Sequence, residues 1–563
     1  MRRASLVLPP LLFVCLGLAG RSLAAHAWTA FTEYQTPFAF PSGETAPASP
    51  VVPRVVLVLL DGLRLDASRR MPFLNQLRER GADLESEIGL PSFSLPGRAT
   101  LLTGAWPDVH GQTTNMKPRP VAVEHLFQVA RRRGVGTTLA AGPAPFQLFD
   151  PWVDRRIPFP EAGPDLDLPA LEAELPVRGE VVDKELGAAP DGFFMAELTS
   201  VDEAGHRWGG ASAAYAQMAA RVDAVLRQAV DRLDLTRTTL VVTTDHGHTD
   251  RGGHGGSEAS VTRIPLVLAG AAVRPGRRGH ARHIDVAPTV AVLLGLSIPA
   301  ASQGWPLLEY LALSPDQARG AAARAETQRR ASLAAFAARL GEAAPAPASM
   351  GSDREAQFQP GDMDAAAARV RDRRLVRELH GRRLKAAGLV GTLALAVVAL
   401  SALVGWRQLA VASTAALFGF LTYRLAFPLF GLGYSMSILN RDEELDPFFR
   451  HDMLLAALAC LLAAAAAGAW SRWRQPGASR RDLARGAWLT GAALVGVFLL
   501  RITHAYLGTG LFLTWPMPDL DQLFAFYLDL LALVAVCFAG PLLPVAGWAG
   551  AALTGPRKAR PPA

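Results

Sequence analysis

The 563-residue chain predicts an α/β domain built on a mostly parallel sheet flanked by helices, followed by an α-helical transmembrane bundle. Three observations carry that expectation. Between residues 54 and 310, short β-branched apolar runs alternate with stretches of helical period, as strands joined through helices do. Beyond residue 386, apolar runs of about 20 residues follow one another, each long enough to cross a hydrocarbon core. Basic residues gather beside those runs, so the formal net charge of +7 is unevenly spread.

Composition narrows the class. With 50% hydrophobic and 19% charged residues, a disordered tail, a collagen-like fibre and a small disulfide scaffold are excluded. The chain has three cysteines, Cys15, Cys460 and Cys537, all in apolar segments, so the large domain is expected to hold no disulfide. Residues 369–385 carry eight basic and two acidic side chains, and the stretch Arg472–Arg485 carries five arginines and one aspartate. Arg2 and Arg3, and Arg557, Lys558 and Arg560, complete the basic patches. Each flanks an apolar run, which is a membrane pattern and speaks against a nucleic-acid scaffold role.

In chain order, residues 1–27 read as a secretion signal, either cleaved near Ala25-His26-Ala27 or retained as an anchor. Residues 50–310 form the α/β domain. Its expected strands include Val55–Leu60, Phe193–Leu198, Thr239–Thr243 and Ile264–Ala269, and its expected helices Val123–Arg133, Ala213–Leu233 and Val286–Leu294. Residues 311–386 are Ala/Arg-rich, a helical linker with a Pro-containing break (AAPAPASMGSD). Residues 387–552 hold about five membrane helices, near 387–405, 409–436, 453–470, 488–505 and 523–548, and 553–563 form a cytoplasmic tail. The Lys/Arg asymmetry of the short loops puts the α/β domain outside the cytoplasm. Only the juxtamembrane segment 369–385 falls on the wrong side, and segments attached to long exported domains are poor orientation signals.

In parallel sheets the functional site forms beyond the carboxyl ends of the strands, so polar residues immediately after strands are the ones to read. Asp61 closes the first strand. Ser94 lies in PSFSLPGRATLLTG, where Pro96 suits the first turn of a helix and Ser94 its N-terminus, a place that favours an anion. Asp202 and His206 stand in D-E-A-G-H after one strand; Asp245, His246 and then His254 follow another. Singly, an Asp after a strand is a turn residue, an exposed His is solvated, and GGHGG is a flexible loop. Together they make a carboxylate–imidazole set suited to zinc-like divalent ions. Two such ions could activate a hydroxyl and stabilise a departing oxygen, chemistry that fits a phosphorus ester with Ser94 as the nucleophile.

The segments VVLVLLDGLR, PSFSLPGRATLLTG, SVDEAGHRWG, TTDHGHTDRGGHGG and HIDVAPTVAVLLGLSIP, spanning about 54–306, resemble the alkaline phosphatase superfamily in its type I phosphodiesterase/nucleotide pyrophosphatase branch. The nearest likeness is to the catalytic domains of GPI ethanolamine phosphate transferases. The resemblance implies an alkaline-phosphatase-like fold and two divalent metal ions, with zinc expected. One ion would sit on Asp61, Ser94, Asp245 and His246, the other on Asp202, His206 and His254. Ser94 matches the nucleophile. Asn115 matches an Asn that binds a non-bridging phosphate oxygen. His248 stands where Met is common in the family and, with Arg98, is expected to support the ligands from behind. Ala301 replaces an Asn usual in the transferases, which weakens the carry-over of substrate more than of chemistry.

The implied function is a membrane-bound phosphotransferase or phosphodiesterase working through a phospho-Ser94 intermediate. Its implied partners are a phospholipid or other phosphodiester donor and a glycan or lipid acceptor, in the plasma or inner membrane, or the endoplasmic reticulum of a eukaryote. A membrane-tethered hydrolase is the alternative. Ser94–Gly104 also resembles the sulfatase signature, but sulfatases usually begin with two adjacent Asp, and Asp61 is followed by Gly62. In the apolar runs, Arg424, Arg501, His504 and Asp529 are costly in lipid and are expected to face the bundle interior, some as contacts to a lipid headgroup.

Overall fold

The computed structural model describes residues 4–42, 48–159, 167–188, 190–344, 360–510 and 512–554. The α/β domain is organised by eight strands: β1 (Arg54–Leu60), β2 (Ala82–Glu87), β3 (Thr137–Ala141), β4 (Arg155–Pro158), β5 (Gly192–Leu198), β6 (Thr238–Thr243), β7 (Arg263–Gly270) and β8 (Arg277–Arg282). They form one sheet in the order β4-β3-β5-β1-β6-β7-β2-β8. Only β7 runs against its neighbours β6 and β2; the other pairs are parallel.

The central strand β1 explains why the sheet forms. RVVLVLL is β-branched and apolar throughout, the composition of a strand covered on both faces. Val55, Leu57 and Leu59 enter one core with Phe127, Phe149 and Leu293, while Val56, Val58 and Leu60 enter the other with Leu74, Tyr215 and Val222. Alternation of period two therefore feeds two cores, one under each helical layer. The predicted helices appear with trimmed ends: Leu126–Arg132, Ala213–Asp231 and Val286–Leu293. The longest of these starts one residue after Ser212, whose hydroxyl accepts the Tyr215 N–H and caps the helix.

The chain then builds a helical bundle from Pro360–Val404, Trp406–Leu429, Leu445–Arg474, Arg480–Thr509 and Leu520–Ala539, the last continuing into Leu543–Leu553. The N-terminal helix Ala4–Thr32 packs along Leu520–Ala539. Among the described residues six stretches are long and apolar enough to span a membrane, one of them N-terminal, and the protein is a multi-pass membrane protein. Large apolar side chains point outward, among them Leu403 and Leu429, 79% and 83% exposed, as a lipid-facing surface requires. Helices approach closely where side chains are small: a Cβ on Gly468 would collide with the Gly547 carbonyl. The first bundle helix runs unbroken from the basic segment 369–385 into the apolar run 387–404. The expected Pro-containing break, from residue 345 on, and the expected tail, from 555 on, lie outside the described residues. All three cysteines are free.

Candidate metal and nucleophile centre

Because β1 lies between β5 and β6 in parallel register, the chain segments leaving all three strands emerge at one edge of the sheet. Asp61 follows β1, Asp202 lies in the helix Ser200–Trp208 after β5, and Asp245-His246 follow β6. Gly62 makes their convergence possible: at φ +69° it turns the chain, and a Cβ there would stand 2.8 Å from the Asp202 backbone. Ser94 begins the helix Ser94–Thr103, with Pro96 in its first turn as predicted. That helix carries Ser94 over the strand ends and Arg98 into the sheet.

The predicted residues come together. Ser94 Oγ lies 3.0 Å from His246 Nε2. Asp61, Asp245 and His246 form one group of converging donor atoms, with Asp61 Oδ1 3.5 Å and Asp245 Oδ2 3.9 Å from His246 Nε2. Beside it, Asp202 Oδ2 lies 3.3 Å from His206 Nε2, which is 3.2 Å from His254 Nε2. His248 Nε2 sits 2.8 Å from Asp202 Oδ1, so it touches this second group directly. Asn115 accepts the Leu95 N–H on Oδ1 at 2.9 Å, which turns its amide nitrogen toward Ser94 Oγ, 3.4 Å away. Arg98 bonds both Asp61 and Glu197 and approaches Asp245 to 3.7 Å.

The donor chemistry fits divalent cations. His246 and His254 each direct Nδ1 at a backbone carbonyl, of Gly247 and Ser92, at 3.0 and 3.1 Å. A carbonyl only accepts, so Nδ1 carries the proton and the lone pair of Nε2 faces inward. Buried Asp61 Oδ1 and Asp245 Oδ2 have no hydrogen-bond partner among the described residues. Buried carboxyl oxygens beside neutral imidazole lone pairs are the ligand set of a zinc-like ion, whose charge would favour the ionised carboxylates.

Electrostatics agree. Burial pushes the Asp61 carboxyl well above its ordinary value, and Asp245 beside it adds to the rise. Burial likewise pushes His246 down to about 3 and His254 well below its usual range, so both rings are neutral donors at neutral pH. Burial also works against charge at His206, but Asp202 overrides it and holds the ring up to about 9. Asp202 itself is held well below the carboxylate range: burial works upward, and His206 and His248 outweigh it. An anionic Asp202 beside neutral His246 and His254 thus offers acceptor atoms that a cation can take up.

Two contributors escaped the sequence reading. Glu197, 1% exposed in β5, clamps Arg98; a glutamate inside the apolar run GFFMAEL was its signal. Asn440, from the bundle loop between Leu429 and Leu445, bonds His206, and nothing local in the sequence marks it. The expected membrane contacts separate. Arg501 and Asp529 pair with each other at 2.9–3.0 Å, Arg424 lies over the Tyr434 ring at 4.6 Å, and His504 is exposed.

A cavity of about 360 Å³ opens beside the centre. His206, His254 and Asn115 line its polar side; Trp28 and Phe31 of the N-terminal helix and Phe524 of the bundle line an apolar side.

Residues 55–255, the segment that holds every predicted ligand, match the family described as type I phosphodiesterase / nucleotide pyrophosphatase. The chain is 28% identical over 361 residues to GPI ethanolamine phosphate transferase 1 of Aspergillus fumigatus, covering 51% of this chain and 33% of that one. It is 27% identical over 288 residues to the catalytic subunit of human GPI ethanolamine phosphate transferase 2, covering 46% and 28%. The matches span about a third of the length of these curated relatives. Among solved structures, murine ectonucleotide pyrophosphatase / phosphodiesterase 5 aligns with a TM-score of 0.36 at 14% identity, over 44% of this chain and 96% of that chain.

Proposed function

We propose that the protein is a membrane-bound, metal-dependent phosphotransferase that moves phosphoethanolamine from a phospholipid to a glycan or lipid hydroxyl through a phospho-Ser94 intermediate. The observation that carries this is the position of Ser94 Oγ, 3.0 Å from His246 Nε2 and within reach of the Asn115 amide, at a helix N-terminus beside two groups of acidic and imidazole donors. The relatives named as ethanolamine phosphate transferases support the headgroup, and the cavity shared with the bundle supports a donor reached from the bilayer.

Asp61, Ser94, Asp245 and His246 would hold one divalent ion and Asp202, His206 and His254 the other, with zinc as the expected metal. Such ions supply Lewis-acid stabilisation of the oxygens that gain charge in the transition state. The remaining chemistry belongs to the chain. Ser94 gives up its hydroxyl proton to solvent and Oγ attacks phosphorus; the Oγ–P bond forms as the bond from phosphorus to the diacylglycerol oxygen breaks. The departing alkoxide takes a proton from solvent. The Asn115 amide donates to a non-bridging oxygen, and a neutral donor suits a diester with a single negative charge. An acceptor hydroxyl then attacks the phosphoserine, losing its proton as Ser94 Oγ regains one. Arg98 acts from behind, holding Asp61 and Asp245 in place.

On this reading the α/β domain is extracytoplasmic. Arg424 is the membrane residue best suited to meet a lipid phosphate, because Arg501 and Asp529 already answer each other; the exposed His504 stands as a weaker candidate for the same contact. The test is incubation of the purified full chain with phosphatidylethanolamine labelled in its headgroup, with and without chelator. Labelled phosphoenzyme and diacylglycerol are expected, both abolished by chelation. Release of free phosphoethanolamine regardless of added acceptor would mark a hydrolase instead, and chelator-insensitive turnover would sink the metal mechanism.

A further inference from the structure

The loop between bundle helices Trp406–Leu429 and Leu445–Arg474 does more than connect them. It lies against the segment 252–258 that carries His254. Ser437 Oγ accepts the Gly256 N–H at 2.8 Å and donates to Glu258 Oε2 at 2.6 Å, and Ser435 donates to the other oxygen of Glu258. Gly252, at φ +96°, leaves room for the loop: a Cβ there would stand 2.7 Å from Asn440 Oδ1. The Gly-Gly pair before His254 is therefore a seat for a strap from the membrane half.

Asn440 reaches furthest. Its amide nitrogen donates to the His206 carbonyl oxygen, and its Oδ1 lies 3.0 Å from His206 Nδ1. The two contacts fix each other. A backbone carbonyl only accepts, so the NH2 end must face it, and Oδ1 must face the ring. An amide oxygen cannot donate, so Nδ1 carries the proton and Nε2 is the nitrogen turned toward Asp202 and His254.

We propose that Asn440 is a positioning residue for the metal ligand His206, supplied by the membrane half of the chain. It fixes the ring's orientation and the nitrogen that carries its proton. His254 and His246 obtain the same service from carbonyls of the catalytic domain itself. Of the three, only His206 depends on a residue 234 positions away. One metal site is then completed only when the catalytic domain is seated on the bundle, which couples assembly of the centre to its membrane setting. This inference rests on the metal-centre reading above.

The experiment measures zinc affinity of the metal-stripped full chain in detergent, by competition with a chromophoric chelator, independently of turnover. Outer partners of metal-bound histidines are worth about 10–100-fold in affinity. Asn440→Ala is expected to weaken the weaker-binding zinc equivalent by about that factor. Asn440→Asp, which keeps an acceptor for Nδ1, is expected to recover most of it. Asp521→Ala removes a separate bundle-to-domain contact, Ser257 Oγ to Asp521 Oδ2 at 3.2 Å, without touching the strap or His206, and is expected to bind zinc like the wild type. Wild-type affinity in Asn440→Ala, or equal losses in Asn440→Ala and Asp521→Ala, would overturn the assignment while leaving the metal centre intact. A wild-type chain that binds no zinc would overturn both readings.

Discussion

Replacing Arg98 by Met isolates what holds the floor of the centre together. The guanidinium is buried, bonds Asp61 and Glu197 at once, and stands 3.7 Å from Asp245. Burial alone would push its proton off; Glu197 and Asp61 outweigh that and hold it charged. Met keeps most of the side-chain volume and removes the charge, so two buried carboxylates lose their partner. Breaking a buried ion pair from one side costs about 3–5 kcal/mol, and each kcal/mol lowers the melting temperature of a domain this size by about 2–4 °C. The metal-stripped variant should therefore melt roughly 6–20 °C below the wild type in a fluorescence-detected thermal scan. A pH dependence comes with it. Burial already pushes the Glu197 carboxyl upward, with Arg98 opposing, and without Arg98 it rises further. A carboxyl raised on folding contributes stability that is present below its unfolded value and lost as pH climbs through its folded value. The deficit of Arg98→Met should thus be larger at pH 8 than at pH 5. Adding Glu197→Leu should return part of the loss, because a matched apolar pair costs less than a stranded charge. An unchanged melting temperature, a deficit that shrinks as pH rises, or a double variant no better than the single would refute the argument.

Ser94→Ala should abolish both turnover and labelled phosphoenzyme while leaving the melting temperature near that of wild type, and retained turnover would remove the covalent step. Asn115→Ala should lower kcat by about 100–1,000-fold with little change in KM, the mark of a contact made mainly in the transition state; a change confined to KM would assign Asn115 to ground-state binding. In the bundle, Asp529→Ala should destabilise more than the double variant Asp529→Ala/Arg501→Leu, since the single change strands Arg501 in an apolar surround. Equal stability of the two, measured by heating in detergent, would mean that the pair is not coupled.

The centre was legible because Asp61 and Asp245 follow their strands almost at once and Asp202 lies in the helix that follows β5. Asp61, Asp202 and Asp245 needed only the rule that parallel strands deliver their carboxyl ends to one edge. Strands such as β2 (ADLESE) and β8 (RRGHAR) were not legible: β2 buries Asp83 against Arg78 and β8, at the sheet edge, is largely polar and exposed, so neither shows an apolar run. Glu197 was readable in principle, since a charge in the middle of a fully buried strand must have an internal partner. Asn440 was not. Its partner is set by tertiary contact between two halves of the chain, and the surrounding SILNRDEEL reads only as an acidic connection between membrane helices.

The segment 369–385, whose basic charge contradicts the loop-charge rule if the catalytic domain is exported, resolves on the same footing. Four of its arginines have partners elsewhere in the protein. Arg371 meets buried Asp108 at 2.6 Å, Arg373 and Arg377 meet Glu342, and Arg382 meets the Gly508 carbonyl and Glu378. Glu378 in turn accepts the indole N–H of Trp515 at 2.9 Å, in the loop before the last bundle helices. Charges answered by the folded domain are not free to anchor a helix in anionic headgroups or to bias its insertion. The same contacts tie the linker helix to the catalytic domain on one side and to the bundle on the other. Much of this basic patch is therefore a joint between the two halves, and the loop bearing Asn440 is a second joint that reaches the metal centre itself.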